Sequence, residues 1–228
     1  MDAAQPAGGV IEALARIEAT AAAETVAVID FETTGMGPEQ GARATEIAAV
    51  LLRGGRVVGR YQSLMNAGVR VPPFIQALTG ISNEMLAGAP PAERVMREVA
   101  DFVGGHPLVA HNASFDRKFW DAELARAGRS RTQEFACTML LARRLLPHAP
   151  NHKLGTLVEF AGLPVAGRYH RALADAEMAA SLLIRLEEEL VARFRPGAVT
   201  HGLLCEIQGM PARELGGCIA RHAERVGA

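Results

Sequence analysis

The run ETVAVIDF at residues 24–31 constrains the fold of this chain more than any other segment. It is almost continuously apolar and rich in β-branched residues, which is typical of a strand buried on both faces of a sheet. Two further apolar runs follow within ATEIAAVLLRGGRVVGRYQSLM, and the Gly54-Gly55 pair between them predicts a hairpin turn. We therefore expect the chain to open with three strands in an antiparallel meander.

After Pro72-Pro73 the pattern changes to helices and short strands in alternation. Periodicity predicts helices over 74–87, 92–104, 114–127, 138–146, 153–161 and 171–194, with strands at 107–110 and 133–137. This order predicts an α/β fold in which a mixed five-stranded sheet carries helices on both faces. We divide the chain into an N-terminal extension at 1–23 with a short helix, a main domain at 24–195 and a C-terminal helical tail at 196–228.

Charge and cysteine content narrow the classes of function. The 24 basic and 25 acidic residues give a net charge of −1, which argues against a protein that coats duplex nucleic acid but allows a grip at one small site. The three cysteines form no C-x-x-C pair, which is typical of a reduced chain. Because the N-terminus lacks the basic cluster of a secretory signal and no apolar run reaches ~20 residues, we expect a cytoplasmic protein without a membrane partner.

Three acidic patterns in the sequence suit a metal site. Asp30 and Glu32 project from one face of the predicted strand at its carboxyl end, where α/β sheets place ligand sites. Adjacent carboxylates repel each other, and a divalent ion such as Mg²⁺ relieves that repulsion with oxygen ligands. Asp116 ends HNASFD, and Asp175 ends HRALAD, which starts at His170. Each pattern alone also has an ordinary explanation, such as a helix-capping carboxylate or an exposed loop histidine.

Taken together and in order, D-x-E, H-N-x-x-F-D and H-x-x-x-x-D resemble the DEDDh family of 3′-to-5′ exonucleases. That family includes the epsilon proofreading subunit of bacterial DNA polymerase III, RNase T and oligoribonuclease. The resemblance covers residues from about 24 to 190 and extends to IQALTGISNEML and CTMLLARRL. It implies an RNase H-like fold with a site for two Mg²⁺ or Mn²⁺ ions. By this resemblance, Asp30, Glu32, Asp116 and Asp175 hold the ions and His170 is the general base.

The same resemblance implies which residues contact the end of a nucleic acid strand. Thr33, Thr34 and Gly35 would line the terminal nucleotide, with Thr34 near the 3′-hydroxyl. An apolar wedge against the last base would comprise Leu78, Thr79, Gly80 and Ile81, and the second nucleotide would be supported by His111, Asn112 and Phe115. Two readings stay open for Phe115, because an aromatic ring either stacks on a base or packs its helix on the sheet. Arg168 and Arg171 are either phosphate contacts or solvated surface arginines.

These residues favour an enzyme that removes nucleoside 5′-monophosphates from the 3′ end of DNA, preferably single-stranded, as proofreading or repair exonucleases do. The alternative within the enzyme class is an exoribonuclease acting on RNA ends or short oligonucleotides. A non-catalytic nucleic-acid-binding or polymerase-docking module is a third reading, although such a module has no need of clustered, mutually repelling carboxylates. Besides a nucleic acid 3′ end, we expect a DNA polymerase or a second copy of the chain as the candidate partner.

Overall fold

The protein is built around one mixed sheet. The computed structural model describes residues 24–165, 167 and 170–226. The predicted extension at 1–23, with its short helix, and Arg168 lie outside the described residues. The sheet order is β3-β2-β1-β4-β5. Its strands are β1 (Thr25–Thr33), β2 (Ala44–Arg53), β3 (Arg56–Leu64), β4 (Leu108–Ala110) and β5 (Phe135–Cys137). The first three strands pair antiparallel, β4 pairs parallel with β1, and β5 pairs parallel with β4. This pairing confirms the predicted meander and mixed five-stranded sheet.

Helices follow the meander and fill the connections between the later strands. In chain order they are α1 (Pro73–Thr79), α2 (Asn83–Ala87), α3 (Ala92–Val103), α4 (Ala113–Arg126), α5 (Thr138–Leu145), α6 (Leu154–Phe160), α7 (Ala172–Phe194), α8 (His201–Ile207) and α9 (Leu215–Val226). The prediction of a single helix over 74–87 is wrong. Gly80 takes a left-handed φ of 75° that ends α1, and the Ser82 side chain accepts a hydrogen bond from the Met85 N–H to start α2. Within the described part of the chain, every helix is too short or too polar to cross a membrane.

Two apolar layers cover the two faces of the sheet, because successive strand residues point to opposite sides. Ala27, Ile29 and Phe31 of β1 pack in the layer that contains α3 and α4. Val26 and Val28 pack in the other layer, beneath α5 and α7. Asp30 and Glu32 continue this second series, so the alternation places both carboxylates on the α7 side of the sheet.

The C-terminal segment joins the same core instead of standing apart from it. Apolar side chains of α8 and α9 belong to the α7-side layer, namely Leu203, Leu204, Ile207, Leu215 and Ile219. The Gln208 side chain also bonds to the backbone of the edge strand β5: its carbonyl accepts from the Cys137 N–H at 2.7 Å, and its amide donates to the Phe135 carbonyl at 3.1 Å. These contacts cover part of the sheet edge, so we expect the tail to stabilise the domain.

Candidate active site

The carboxyl end of β1 forms the floor of the candidate site. Asp30 is half-buried and Glu32 is buried there, on either side of Phe31. The Phe31 N–H donates to Asp116 Oδ1 at 3.2 Å, across 85 residues of sequence. Asp116 is only 2% exposed and lies in the first turn of α4, which directly follows the parallel strand β4. The parallel pairing of β1 with β4 thus brings a third carboxylate to the D-x-E pair.

The loop before α7 completes the cluster from the other end of the chain. One ligand atom from each of Glu32, His170 and Asp175 lies within 4.8 Å of the others. The backbone N–H of His170 donates to Asp175 Oδ2 at 3.1 Å, and the His170 side chain is exposed. His170 has a left-handed φ of 61°, which is uncommon outside glycine and asparagine. All five predicted catalytic residues therefore lie together at the carboxyl end of the central strand β1.

Electrostatics at β1 disfavour the ionised carboxylates. Burial, followed by the charges of Asp116 and Asp175, raises the pKa of Asp30 well above its ordinary value. Burial also raises the pKa of Glu32 to about 8; the charges of Asp175 and Glu46 add to this effect, whereas Arg171 opposes it. The strand thus holds two acids whose charge the described residues do not fully compensate.

The two acids from the helices have the same character. Burial raises the pKa of Asp116 to about 8, although the hydrogen bond from the Phe31 N–H acts in the opposite direction. The pKa of Asp175 is raised, chiefly by burial. Asp175 Oδ1 is buried and has no hydrogen-bond partner among the described residues. This buried carboxylate oxygen without a hydrogen bond lies beside three other carboxyl groups whose pKa is raised. Such a cluster fits a divalent cation, which takes oxygen ligands and supplies the missing positive charge.

A tight turn adjoins this cluster where β1 ends. Thr34 exchanges two hydrogen bonds with Arg43: its N–H donates to the Arg43 carbonyl at 2.9 Å, and its Oγ1 accepts from the Arg43 N–H at 3.0 Å. The Thr33 hydroxyl donates to the Gly35 carbonyl at 2.7 Å. A Cβ at Gly35 would lie 3.3 Å from the Cβ of Ala42, so glycine allows the close approach of the two segments. The predicted terminal-nucleotide residues thus form a fixed turn next to Glu32.

Two residues of the predicted apolar wedge, Leu78 and Gly80, are exposed, and the other two are buried. Leu78 is 47% exposed, whereas Thr79 and Ile81 are buried. The Thr79 hydroxyl donates to the Ile75 carbonyl at 2.9 Å and accepts from the Ile81 N–H at 3.1 Å. The structure also exposes Phe74, one helical turn before Leu78, which sequence analysis missed. The spacing of Phe74 and Leu78 places both on one side of α1 and was the available signal.

The three residues predicted to support a second nucleotide differ in their surroundings. His111 is held by the protein, since its Nδ1 lies 2.9 Å from the Thr138 hydroxyl and its Nε2 lies 3.1 Å from the His152 carbonyl. Burial lowers the pKa of His111 to about 4. Asn112 is exposed and has a left-handed φ of 62° just before α4. Phe115 is half-buried with its ring centroid 5.0 Å from that of Phe119, so it packs on the core and still reaches the surface.

Similarity to known proteins agrees with this geometry. A family model described as exonuclease, RNase T, matches residues 27–183. The DNA polymerase III subunit epsilon of Aquifex aeolicus is 34% identical over 174 residues, which cover 76% of this chain and 85% of that protein. The PolC-type DNA polymerase III of Bacillus cereus is 35% identical over 171 residues, or 75% of this chain. The chain spans only 12% of that polymerase, and 18% of the 3′-5′ exonuclease DinG of Bacillus subtilis, which is 37% identical over 164 residues.

Solved structures give the same result for the fold. Exonuclease X in complex with 5′ overhanging duplex DNA superposes with a TM-score of 0.60 at 28% identity, covering 85% of this chain and 99% of that one. The nuclease domain of 3′hExo, a DEDDh family member bound to rAMP, superposes with a TM-score of 0.61 at 21% identity, covering 72% of this chain and 91% of that one. Members of this family depend on divalent metal ions and act on nucleic acid. The predicted RNase H-like fold is confirmed, and the chain belongs to the DEDDh exonuclease family.

Proposed function

We propose that this protein is a 3′-to-5′ exonuclease that uses two Mg²⁺ or Mn²⁺ ions and prefers the 3′ end of single-stranded DNA. The convergence of four carboxylates and His170 at the carboxyl end of β1 carries the proposal. The relatives named as DNA polymerase III, one of them its subunit epsilon, and the DNA complex of exonuclease X support DNA as the substrate. The similarity to DNA polymerase III proteins also supports a DNA polymerase as partner, with self-association as the alternative.

In this proposal, Asp30, Glu32, Asp116 and Asp175 hold the metal ions. When bound, the ions would supply positive charge that stabilises the attacking oxygen of water and the leaving 3′-oxygen of the phosphodiester. The exposed ring of His170 accepts a proton from the attacking water. The water oxygen bonds to phosphorus while the bond to the 3′-oxygen of the preceding nucleotide breaks, and that 3′-oxygen takes up a proton from solvent. The products are a nucleoside 5′-monophosphate and a strand with a new 3′-hydroxyl.

The turn at the end of β1 explains why such an enzyme would act on strand ends. Thr33 and Thr34 have their side chains tied to the turn, and the turn stands directly beside Glu32. A terminal nucleotide seated there has its 3′-hydroxyl against the protein, whereas a continuing strand would collide with the turn. Exposed Leu78 then contacts the face of the terminal base.

The test is cleavage of 5′-labelled DNA and RNA strands of one sequence, single-stranded and duplex, with Mg²⁺, with Mn²⁺ or with a chelator. We expect a ladder that shortens from the 3′ end of single-stranded DNA, protection by a 3′-terminal block and no cleavage in chelator. Asp30→Asn should abolish cleavage, and the exposed Asp121→Asn on α4 is the matched control. Cleavage of a closed circle would contradict the assignment to strand ends, and faster decay of RNA than of DNA would establish the exoribonuclease alternative.

A further inference from the structure

A fifth acid lies beside the cluster but differs from the other four. Glu46 of β2 is paired in register with Glu32 of β1, and its side chain is only 1% exposed. Hydrogen bonds from the side chain of Arg171, the backbone of Ala172 and the side chain of Gln62 outweigh the effect of burial and lower the pKa of Glu46. Glu46 is therefore an ionised, compensated carboxylate within a group of uncompensated ones.

Both carboxylate oxygens of Glu46 are fully occupied by donors. Oε1 accepts from Arg171 Nη2 at 2.7 Å and from Gln62 Nε2 at 2.7 Å. Oε2 accepts from Arg171 Nε at 3.1 Å and from the Ala172 N–H at 3.1 Å. Four hydrogen bonds use the lone pairs that a metal ion would need. Glu46 therefore accepts hydrogen bonds that hold the fold together, and only the other four acids are proposed as metal ligands.

Three of the four hydrogen bonds to Glu46 come from the segment that carries two of the predicted catalytic groups. Arg171 immediately follows His170, and Ala172 is the first residue of α7, three positions before Asp175. One buried carboxylate of β2 therefore holds both a side chain and a backbone N–H of this short segment. The opposite strand position belongs to Glu32, whose ligand atom lies within 4.8 Å of those of His170 and Asp175.

We propose that Glu46 and Arg171 are positioning residues that clamp the start of α7 onto β2 and so hold His170 and Asp175 against Glu32. The inference rests on the proposed nuclease function for its kinetic consequence but not for its structural one. Arginine suits the task because its planar guanidinium binds a carboxylate through two parallel N–H groups, which lysine cannot do. Arg171 is also the next residue after His170, whose left-handed φ of 61° is an unfavourable backbone conformation. The ion pair between Arg171 and Glu46 therefore fixes the chain directly beside a strained residue.

Loss of this clamp should change catalysis more than substrate binding. The contacts proposed for the terminal nucleotide lie on the β1 turn and α1, whereas the side-chain hydrogen bonds of Glu46 and Arg171 go to each other, to Gln62 and to the Ala172 N–H. A misplacement of about 1 Å in a reacting group is enough to cost roughly 10²-fold in rate. We therefore expect Arg171→Lys and Glu46→Gln to lower kcat by 10-fold or more and to leave KM within about 3-fold of the wild-type value.

Arg60→Gln is the matched control. Arg60 also joins the sheet to α7, through an ion pair from β3 to Glu177 at 2.6 Å, but its side chain is 53% exposed and does not bond to residues 170–175. The first readout is steady-state kinetics on single-stranded DNA. The second is hydrogen exchange of the metal-free protein, resolved at single amides by NMR. Exchange at the N–H groups of residues 170–175 should accelerate in Arg171→Lys and Glu46→Gln and remain as in the wild type in Arg60→Gln.

The two readouts separate failure of the clamp from failure of the nuclease function. Unchanged exchange at residues 170–175 in both variants would overturn the clamp, and so would wild-type kcat. Faster exchange throughout the chain in both variants would also overturn it, because the pair would then support the whole fold instead of this segment. A wild-type protein without nuclease activity would refute the proposed function, whereas its hydrogen exchange would still test the clamp.

Discussion

Replacing Asp116 by asparagine should stabilise the chelated protein at alkaline pH while abolishing its nuclease activity. Burial raises the pKa of Asp116 in the folded protein to about 8, from an ordinary value of 3.8. The folded state therefore binds the proton more tightly than the unfolded state does, and stability is lost as the pH rises from about 4 to about 8. Asparagine removes the charge and keeps an oxygen that accepts from the Phe31 N–H.

The magnitude follows from the difference between the two pKa values. A shift of about four units at about 1.4 kcal/mol each sets an upper limit of about 5 kcal/mol at pH 8, and we expect a gain of about 2–5 kcal/mol. Even the lower figure corresponds to roughly 4–8 °C in melting temperature for a domain of this size. At pH 5 the gain should fall to less than half, because most of the wild-type Asp116 is then protonated in the folded state.

The assay is thermal and urea unfolding in chelator between pH 5 and pH 8. Asp121→Asn on the same helix is the control, since its carboxylate is exposed and paired with Arg131, and this variant should gain no stability. Saturating Mn²⁺ should reverse the order of wild type and Asp116→Asn, because the variant has lost a metal ligand. An Asp116→Asn protein that is less stable than the wild type in chelator at pH 8 would refute this account of the cluster.

Three further substitutions test separate parts of the structure. His170→Asn tolerates the left-handed backbone, so Mn²⁺ binding measured by calorimetry should survive while kcat falls about 10²–10⁴-fold; lost affinity with rescue by excess Mn²⁺ would make His170 a ligand instead. Because burial lowers the pKa of His111 to about 4, the folded state favours its neutral form, and acid should cost stability as the pH falls from about 6.5 to about 4. The stability of wild type relative to His111→Gln should therefore fall by up to about 1.4 kcal/mol per pH unit in that window, and a pH-independent difference in urea unfolding would contradict this. Gln208→Ala should cost about 1–3 kcal/mol, since the β5 backbone loses two bonds; equality with the exposed Gln40→Ala control would refute it.

The local sequence pattern was enough to predict the strands of the meander and the long helix α7. The apolar run of β1, the Gly54-Gly55 hairpin and the long helix α7 depend on neighbouring residues, so their bounds agree with the prediction to within two residues or so. The split of the predicted helix over 74–87 depends on one backbone angle at Gly80. Helical periodicity continues across that residue, so the apolar pattern alone does not reveal the break.

The candidate site was predictable only where its residues fall in a recognisable order. The acids and His170 form spaced patterns along the chain, and the structure brings them together. The role of Glu46 was not predicted, because its partner Arg171 is 125 residues away in the sequence. No local pattern relates a charged residue in an apolar strand to a distant arginine. The burial of Thr79 and Ile81 was hidden for a similar reason, since it depends on how the segment around α1 packs on itself.

The proposed function rests on the claim that the acids at the end of β1 form its metal centre. Calorimetric titration of the full chain with Mn²⁺ tests this claim most directly, with Asp30→Asn beside the wild type and the exposed Asp101→Asn as control. We expect two bound ions for the wild type and for Asp101→Asn, and loss of tight binding in an Asp30→Asn protein whose circular dichroism is unchanged. Wild-type affinity and stoichiometry in Asp30→Asn would contradict the claim.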